Sequence, residues 1–77
     1  MPYKDNNALP DSVANVLPKH AQDIYREAFN HAWDQYKDKS ERRGNESREE
    51  TAHKVAWAAV KHRYRKGDDD HWHPIND

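Results

Sequence analysis

"PKHAQDIYREAFNHAWDQYKDK", residues 18–39, decides the fold of this 77-residue chain. Ala21, Ile24, Tyr25, Ala28, Phe29, Ala32, Trp33 and Tyr36 recur at i, i+3, i+4 and i+7, which at about 100° per residue gathers them on one broad apolar face. The spacing predicts a helix over about 18–39. Pro18 suits its first position, where the missing N–H costs nothing, and pushes the preceding Leu17 into extended geometry.

An apolar face of that breadth needs a partner, and residues 47–66, "SREETAHKVAWAAVKHRYRK", supply one. Ser47 followed by Glu50 has the spacing of a capping box, and Ala52, Val55, Ala56, Ala59 and Val60 form the apolar stripe. Trp57 and Tyr64 flank the stripe, and Gly67 is placed to end the helix at about residue 66. One face is bulky and the other small, so the two helices are predicted to approach closely as an antiparallel hairpin. Trp33 is expected inside it, where truncation to Ala would cost about 3–5 kcal/mol.

Upstream, "LPDSVANVLP" (9–18) places Pro10 at the start of a short helix near 10–16, with Val13, Val16 and Leu17 capping the open end of the hairpin. The stretch "DKSERRGNES" (38–47) has no apolar residue, and Gly44-Asn45 is a turn signal, so an exposed, mobile loop is expected over about 40–47. Residues 1–8 and 68–77 read as mobile ends, with "PYK" (2–4) and "WHP" (72–74) as candidates for a minimal two-stranded ribbon between them. The fold class is therefore mainly α: a small single domain over 1–77, a helical hairpin with a short N-terminal helix.

Composition bounds the function. Leu, Ile, Val and Phe total nine residues, inside the range where disorder competes with folding, but three Trp and four Tyr add large apolar surfaces. With no cysteine there are no disulfide staples and no Cys-ligated zinc. The apolar runs are a few residues long, far below the roughly 20 that span a bilayer, so no direct membrane insertion is expected. A monomer in the cytoplasm is the expectation.

Charge is unevenly spread: residues 51–66 carry five cations and no acid, residues 67–77 carry four acids and no Lys or Arg, and the whole chain is at −1. On a helix running to 66, Lys54, Lys61 and Arg65 lie within about 40° of one another, opposite the apolar stripe. Much of this pattern complements the helix ends, cations at the C-terminus and Glu49 and Glu50 at the N-terminus. The remainder, Lys54, Lys61 and Arg65 with Trp57 at the core edge, is the candidate partner-binding surface. In "DDDHWH" (68–73) the carboxylates of Asp68, Asp69 and Asp70 suit hard cations, and His71 with His73 suit zinc or nickel. These five are weak metal candidates, because the run lacks the spaced ligands, glycine turn and distal Glu of a calcium loop; no specific metal site and no cofactor are expected. His53 is expected at the core edge, bonded to backbone and sharing a face with Glu49, while His20, His31 and His62 are read as surface residues. No nucleophile comes with a base and an orienting group, so no enzyme is expected.

The strings "LP..V..VLP.HAQDIY.EAFN.AW.QY" and "REETAHKVAWAAVKH.Y.KGDDD.W" resemble the ChaB family over nearly the whole chain. The resemblance implies a small, mainly helical cytoplasmic protein linked to a calcium or sodium/proton antiporter, and it implies no catalytic residues. Family members also occur in viruses and fused to nucleic-acid-binding modules. Two function classes follow: a regulatory module that docks a protein, such as a cytoplasmic segment of a cation/proton antiporter, or a small nucleic-acid-associated module. The acids of 68–70 and the net charge weigh against the second, because they repel phosphate.

Overall fold

Proline and serine set the helix starts in this chain. The computed structural model describes residues 3–41, 44 and 46–75. After a 3₁₀ turn at Asn6–Ala8, α1 spans Asp11–Ala14, and the N–H groups of Val13 and Ala14 both donate to Pro10 O at 2.9 Å. The extended Pro18 then opens α2, Lys19–Gln35. With no side chain capping its N-terminus, Gln22 ties the start of α2 to the preceding turn, its Nε2 donating to Leu17 O (2.9 Å) and Ala14 O (3.1 Å).

The second long helix, α3, spans Arg48–Lys61. Its start is the predicted capping box: Ser47 Oγ accepts from Glu50 N at 3.0 Å, and Glu50 Oε1 accepts from Ser47 N at 3.3 Å. Contacts between the helices run in opposite senses, Arg48 on Trp33, His53 on Phe29 and Trp57 on Tyr25, so the pair is an antiparallel hairpin. Tyr25, Phe29 and Val60 are its largest fully buried side chains, and Ala21, Ala32, Ala52 and Ala56 let the backbones close around them. Leu9, Val13 and Leu17 are buried in the same core, while Val16 is half-buried at its border.

Both long helices stop earlier than their patterns predict. Beyond Tyr36 the run Lys37–Lys39 has nothing apolar to bury, so α2 ends at Gln35. For α3 the cause is a competing element: Tyr64–Lys66 is a strand, β1, paired antiparallel with β2, Trp72–Pro74, in the register Tyr64↔Pro74, Arg65↔His73, Lys66↔Trp72. Gly67 therefore does not stop the helix. It opens the turn of the ribbon, where a Cβ would fall 2.7 Å from the His73 ring, and Asp70 closes the turn in the left-handed region at φ +66°.

The expected strand "WHP" thus forms, but its partner is "YRK" (64–66) rather than "PYK". Pro2 lies outside the described residues. Tyr3 is occupied elsewhere, its ring 4.6 Å from Phe29 and its backbone bracketed by Asn30, whose Oδ1 accepts from Tyr3 N (2.7 Å) while Nδ2 donates to Tyr3 O (2.8 Å). One side-chain amide provides there the donor and acceptor that a strand would have offered. Trp33 is half-buried rather than internal, with the Arg48 guanidinium 4.2 Å above its ring and Arg48 Nε donating to its carbonyl at 2.6 Å.

Candidate functional site: an aromatic and basic groove

Because side chains alternate across a strand, the ribbon sorts its residues onto two faces. Tyr64, Lys66, Trp72 and Pro74 share the inner face, and Arg65 and His73 the outer one. The inner face meets the last turns of α3, where Trp72 lies 5.3 Å from Trp57, which in turn meets the buried Tyr25 edge-on at 5.1 Å. A backbone bond from Trp72 N to Val16 O (2.9 Å) pins this contact to the α1–α2 connection. The result is an open groove of about 330 Å³ with Val16, Trp57 and Trp72 as its apolar surface and Ser12, Lys61, Lys66 and Asp70 around them.

The groove's charge is mixed. Lys61 is exposed, with no ion-pair partner among the described residues, whereas Lys66 Nζ lies 3.8 Å from Asp70 Oδ1 across the turn. Asp69 faces away from Lys66: His73 Nε2 lies 3.1 and 3.2 Å from its two oxygens, and His71 N donates to it at 3.1 Å. These bonds, the His73 one foremost, hold the Asp69 carboxyl below the usual carboxylate range.

Of the four residues expected to bind a partner, the structure brings Trp57 and Lys61 together and separates the other two. Lys54 lies almost two turns before Lys61 and is ion-paired with Glu46. Arg65, placed on a ridge by assuming a longer helix, projects from the outer face of β1 beside His73. Lys66 and Trp72 take their places, and neither is recognisable without the register of the ribbon. Asp68, Asp69, Asp70, His71 and His73 all lie in the turn and β2, where Asp69 is the hub of hydrogen bonds and Asp70 is engaged by Lys66. Among the described residues no three His, Asp or Glu side chains converge as a metal cage would require.

A second polar cluster crosses the hairpin. The Tyr25 hydroxyl is hydrogen-bonded to His53 Nδ1, and His53 Nε2 faces Glu49 Oε1 at 3.7 Å. Burial pushes the Tyr25 phenol well above its ordinary range, helped by Tyr3 and Glu49. The phenol therefore keeps its proton, and the bond joins an un-ionised hydroxyl to the His53 imidazole. The sequence placed His53 at the core edge correctly but gave it a backbone partner; the partner is Tyr25, set by inter-helix register. His20, His31 and His62 are exposed as expected.

The ChaB family model matches residues 9–74. The chain is 75% identical over 73 residues to "Putative cation transport regulator ChaB" of Escherichia coli (strain K12), covering 95% of this chain and 96% of the relative. The same values hold for the protein of that name from Shigella flexneri. Among solved structures, the NMR solution structure of the putative cation transport regulator ChaB superposes with a TM-score of 0.82 at 72% identity, covering 97% of this chain and 100% of the other.

Proposed function

This chain belongs to the ChaB family, and from that premise we propose that it is a non-enzymatic regulator of cation transport that acts by docking a protein, a cytoplasmic segment of a calcium or sodium/proton antiporter. The observation that carries the docking reading is the Trp57–Trp72 pair, two indoles half-buried at the surface, beside Lys61, which has no ion-pair partner among the described residues. Partly exposed Trp side chains are enriched among interface anchors, and charges at the rim steer and select the partner. The Tyr25–His53–Glu49 chain supports a non-enzymatic reading, because its hydroxyl is wholly buried and already spent on His53, out of reach of a substrate. No helix among the described residues is long and apolar enough to cross a membrane, so contact with a transporter would be made from its aqueous face.

The test is cation/proton exchange by an antiporter in everted membrane vesicles, with a pH-sensitive dye as readout. Purified protein is expected to change the exchange rate, and Lys61→Glu, a surface change that leaves melting unaltered, to lose most of that effect. An exchange rate indifferent to the wild-type protein for both calcium and sodium would refute the transport reading.

A further inference from the structure

The groove has a built-in competitor for its own basic side. Asp70 is the last residue of the ribbon turn, held at φ +66°, and from there its carboxylate reaches back to Lys66 at 3.8 Å. Lys66 shares the inner face with Trp72 and borders the same groove as Lys61. A carboxylate thus already occupies one of the two ammonium positions beside the indoles. We propose that the occupant of this groove is an acidic peptide segment with an apolar anchor, whose carboxylate replaces Asp70 on Lys66 while its apolar side chain lies against Trp57 and Trp72. The inference deepens the docking reading above and rests on it.

Three features select this occupant. Two exposed-side indoles with Val16 beside them offer an apolar surface wide enough for a side chain but too open for an enclosed small molecule. Lys61 supplies a second ammonium with no competing acid among the described residues, so a ligand with adjacent carboxylates gains there without displacing anything. Phosphate polymers are disfavoured, because Asp68, Asp69 and Asp70 put three acids in the turn next to Lys66, and a strand with a charge on every nucleotide cannot avoid them. A peptide needs to present its carboxylates only at Lys61 and Lys66. Asp70 then acts as a placeholder: it weakens binding of any acidic segment by the worth of one exposed ion pair and rejects segments that lack the apolar anchor.

The test uses the full chain and a short capped Glu-rich peptide with one central Leu–Phe pair, followed by the indole N–H resonances. Trp57 and Trp72 are expected to shift in a saturable, one-to-one manner, while Trp33, at the other end of the hairpin under Arg48, stays in place as an internal control. Asp70→Asn keeps the turn, since Asn tolerates left-handed geometry, and is expected to tighten binding about two- to fivefold, the range set by an exposed ion pair. Lys66→Gln should weaken binding by a similar factor, and in the Lys66→Gln, Asp70→Asn double variant the gain from Asp70→Asn should vanish. Replacing the Leu–Phe pair by Ala should weaken it about tenfold or more. The placeholder role falls if Asp70→Asn leaves affinity unchanged or lowers it. The choice of occupant falls if a version of the peptide with every Glu replaced by Lys, or single-stranded or duplex DNA, shifts Trp57 and Trp72 better than the acidic peptide. Peptide binding with no effect on vesicle exchange would sink the transport reading and leave this inference standing; exchange regulation without peptide binding would do the reverse.

Discussion

In the α2–α3 hairpin the stabilising groups are side chains taken wholly out of water, Tyr25, Phe29 and Val60 among small alanines. The β1–β2 ribbon contributes one buried side chain, Tyr64, and the half-buried Trp72 against Trp57, and is held otherwise by backbone bonds: Gly67 N to His71 O (2.8 Å), Ile75 N to Arg63 O (2.9 Å) and Trp72 N to Val16 O (2.9 Å). Buried apolar area is the larger source of stability, and exposed backbone bonds open locally at little cost. The hairpin is therefore the part that must persist for the chain to be folded, and the ribbon is the part that can move without unfolding it. The groove lies where the two meet, with Trp57 from the rigid half and Trp72 from the pliable one.

The largest loss of stability is expected from the hairpin. Phe29 is fully buried and touches Tyr3, Tyr25, Trp33 and His53. Phe29→Ala is expected to cost about 3–5 kcal/mol, which in a domain of this size approaches the whole stability. Trp33→Ala should cost clearly less, since Trp33 is half-buried and shielded mainly by Arg48. Thermal or urea unfolding of both variants checks the order, and equal losses would mean that Trp33 anchors that end of the core as firmly as Phe29.

A smaller effect comes from the polar contact inside the hairpin. Tyr25→Phe keeps the ring but leaves His53 Nδ1 without its hydroxyl partner, a loss of about 1–3 kcal/mol. Its pH dependence has a defined sign. The folded phenol is held above its unfolded value near 10, so the folded state binds the proton more tightly. Its stabilisation is complete below that pH and is lost as pH rises through and beyond it. Wild-type unfolding followed from neutral to strongly alkaline pH should show this decline, and Tyr25→Phe should remove that component. A variant with the same alkaline slope as wild type would show that another group controls it.

Legibility in the sequence followed the same division. The hairpin was readable because a 3.6-residue period repeated over four turns fixes which face is buried, and the Ser47–Glu50 box and Pro18 mark the starts. The ribbon was half readable: a strand of three residues carries barely one alternation, so "WHP" stood out by its Trp and Pro, but "YRK" continued the helical pattern of α3 and was absorbed into it. That one misassignment put Arg65 on the helix ridge and hid Lys66. The Trp57–Trp72 contact depends on the turn at Gly67–Asp70, and the Tyr25–His53 bond on the offset between two helices; neither periodicity encodes such offsets.

The finest test separates the two halves without unfolding either. Gly67→Ala adds a Cβ that would fall 2.7 Å from His73 Cδ2 and 2.9 Å from Asp69 Oδ1. The atoms in its way belong to exposed side chains, which can swing aside at the expense of the Asp69–His73 bonds. No core group is disturbed, so the global melting of the chain should change by no more than about 0.5 kcal/mol. The ribbon should nevertheless loosen, because the displaced His73 sits on β2, directly opposite Arg65. Amide exchange reports this site by site: the N–H groups of Gly67, Trp72 and Ile75 should exchange several-fold faster, while those in the middle of α2 and α3 keep their rates. With Trp72 less firmly placed against Trp57, affinity of the groove for the acidic peptide should drop in the same variant even though its melting does not. Exchange that accelerates equally in ribbon and hairpin would show that the two form one cooperative unit, and the groove could not then borrow its adaptability from the ribbon alone.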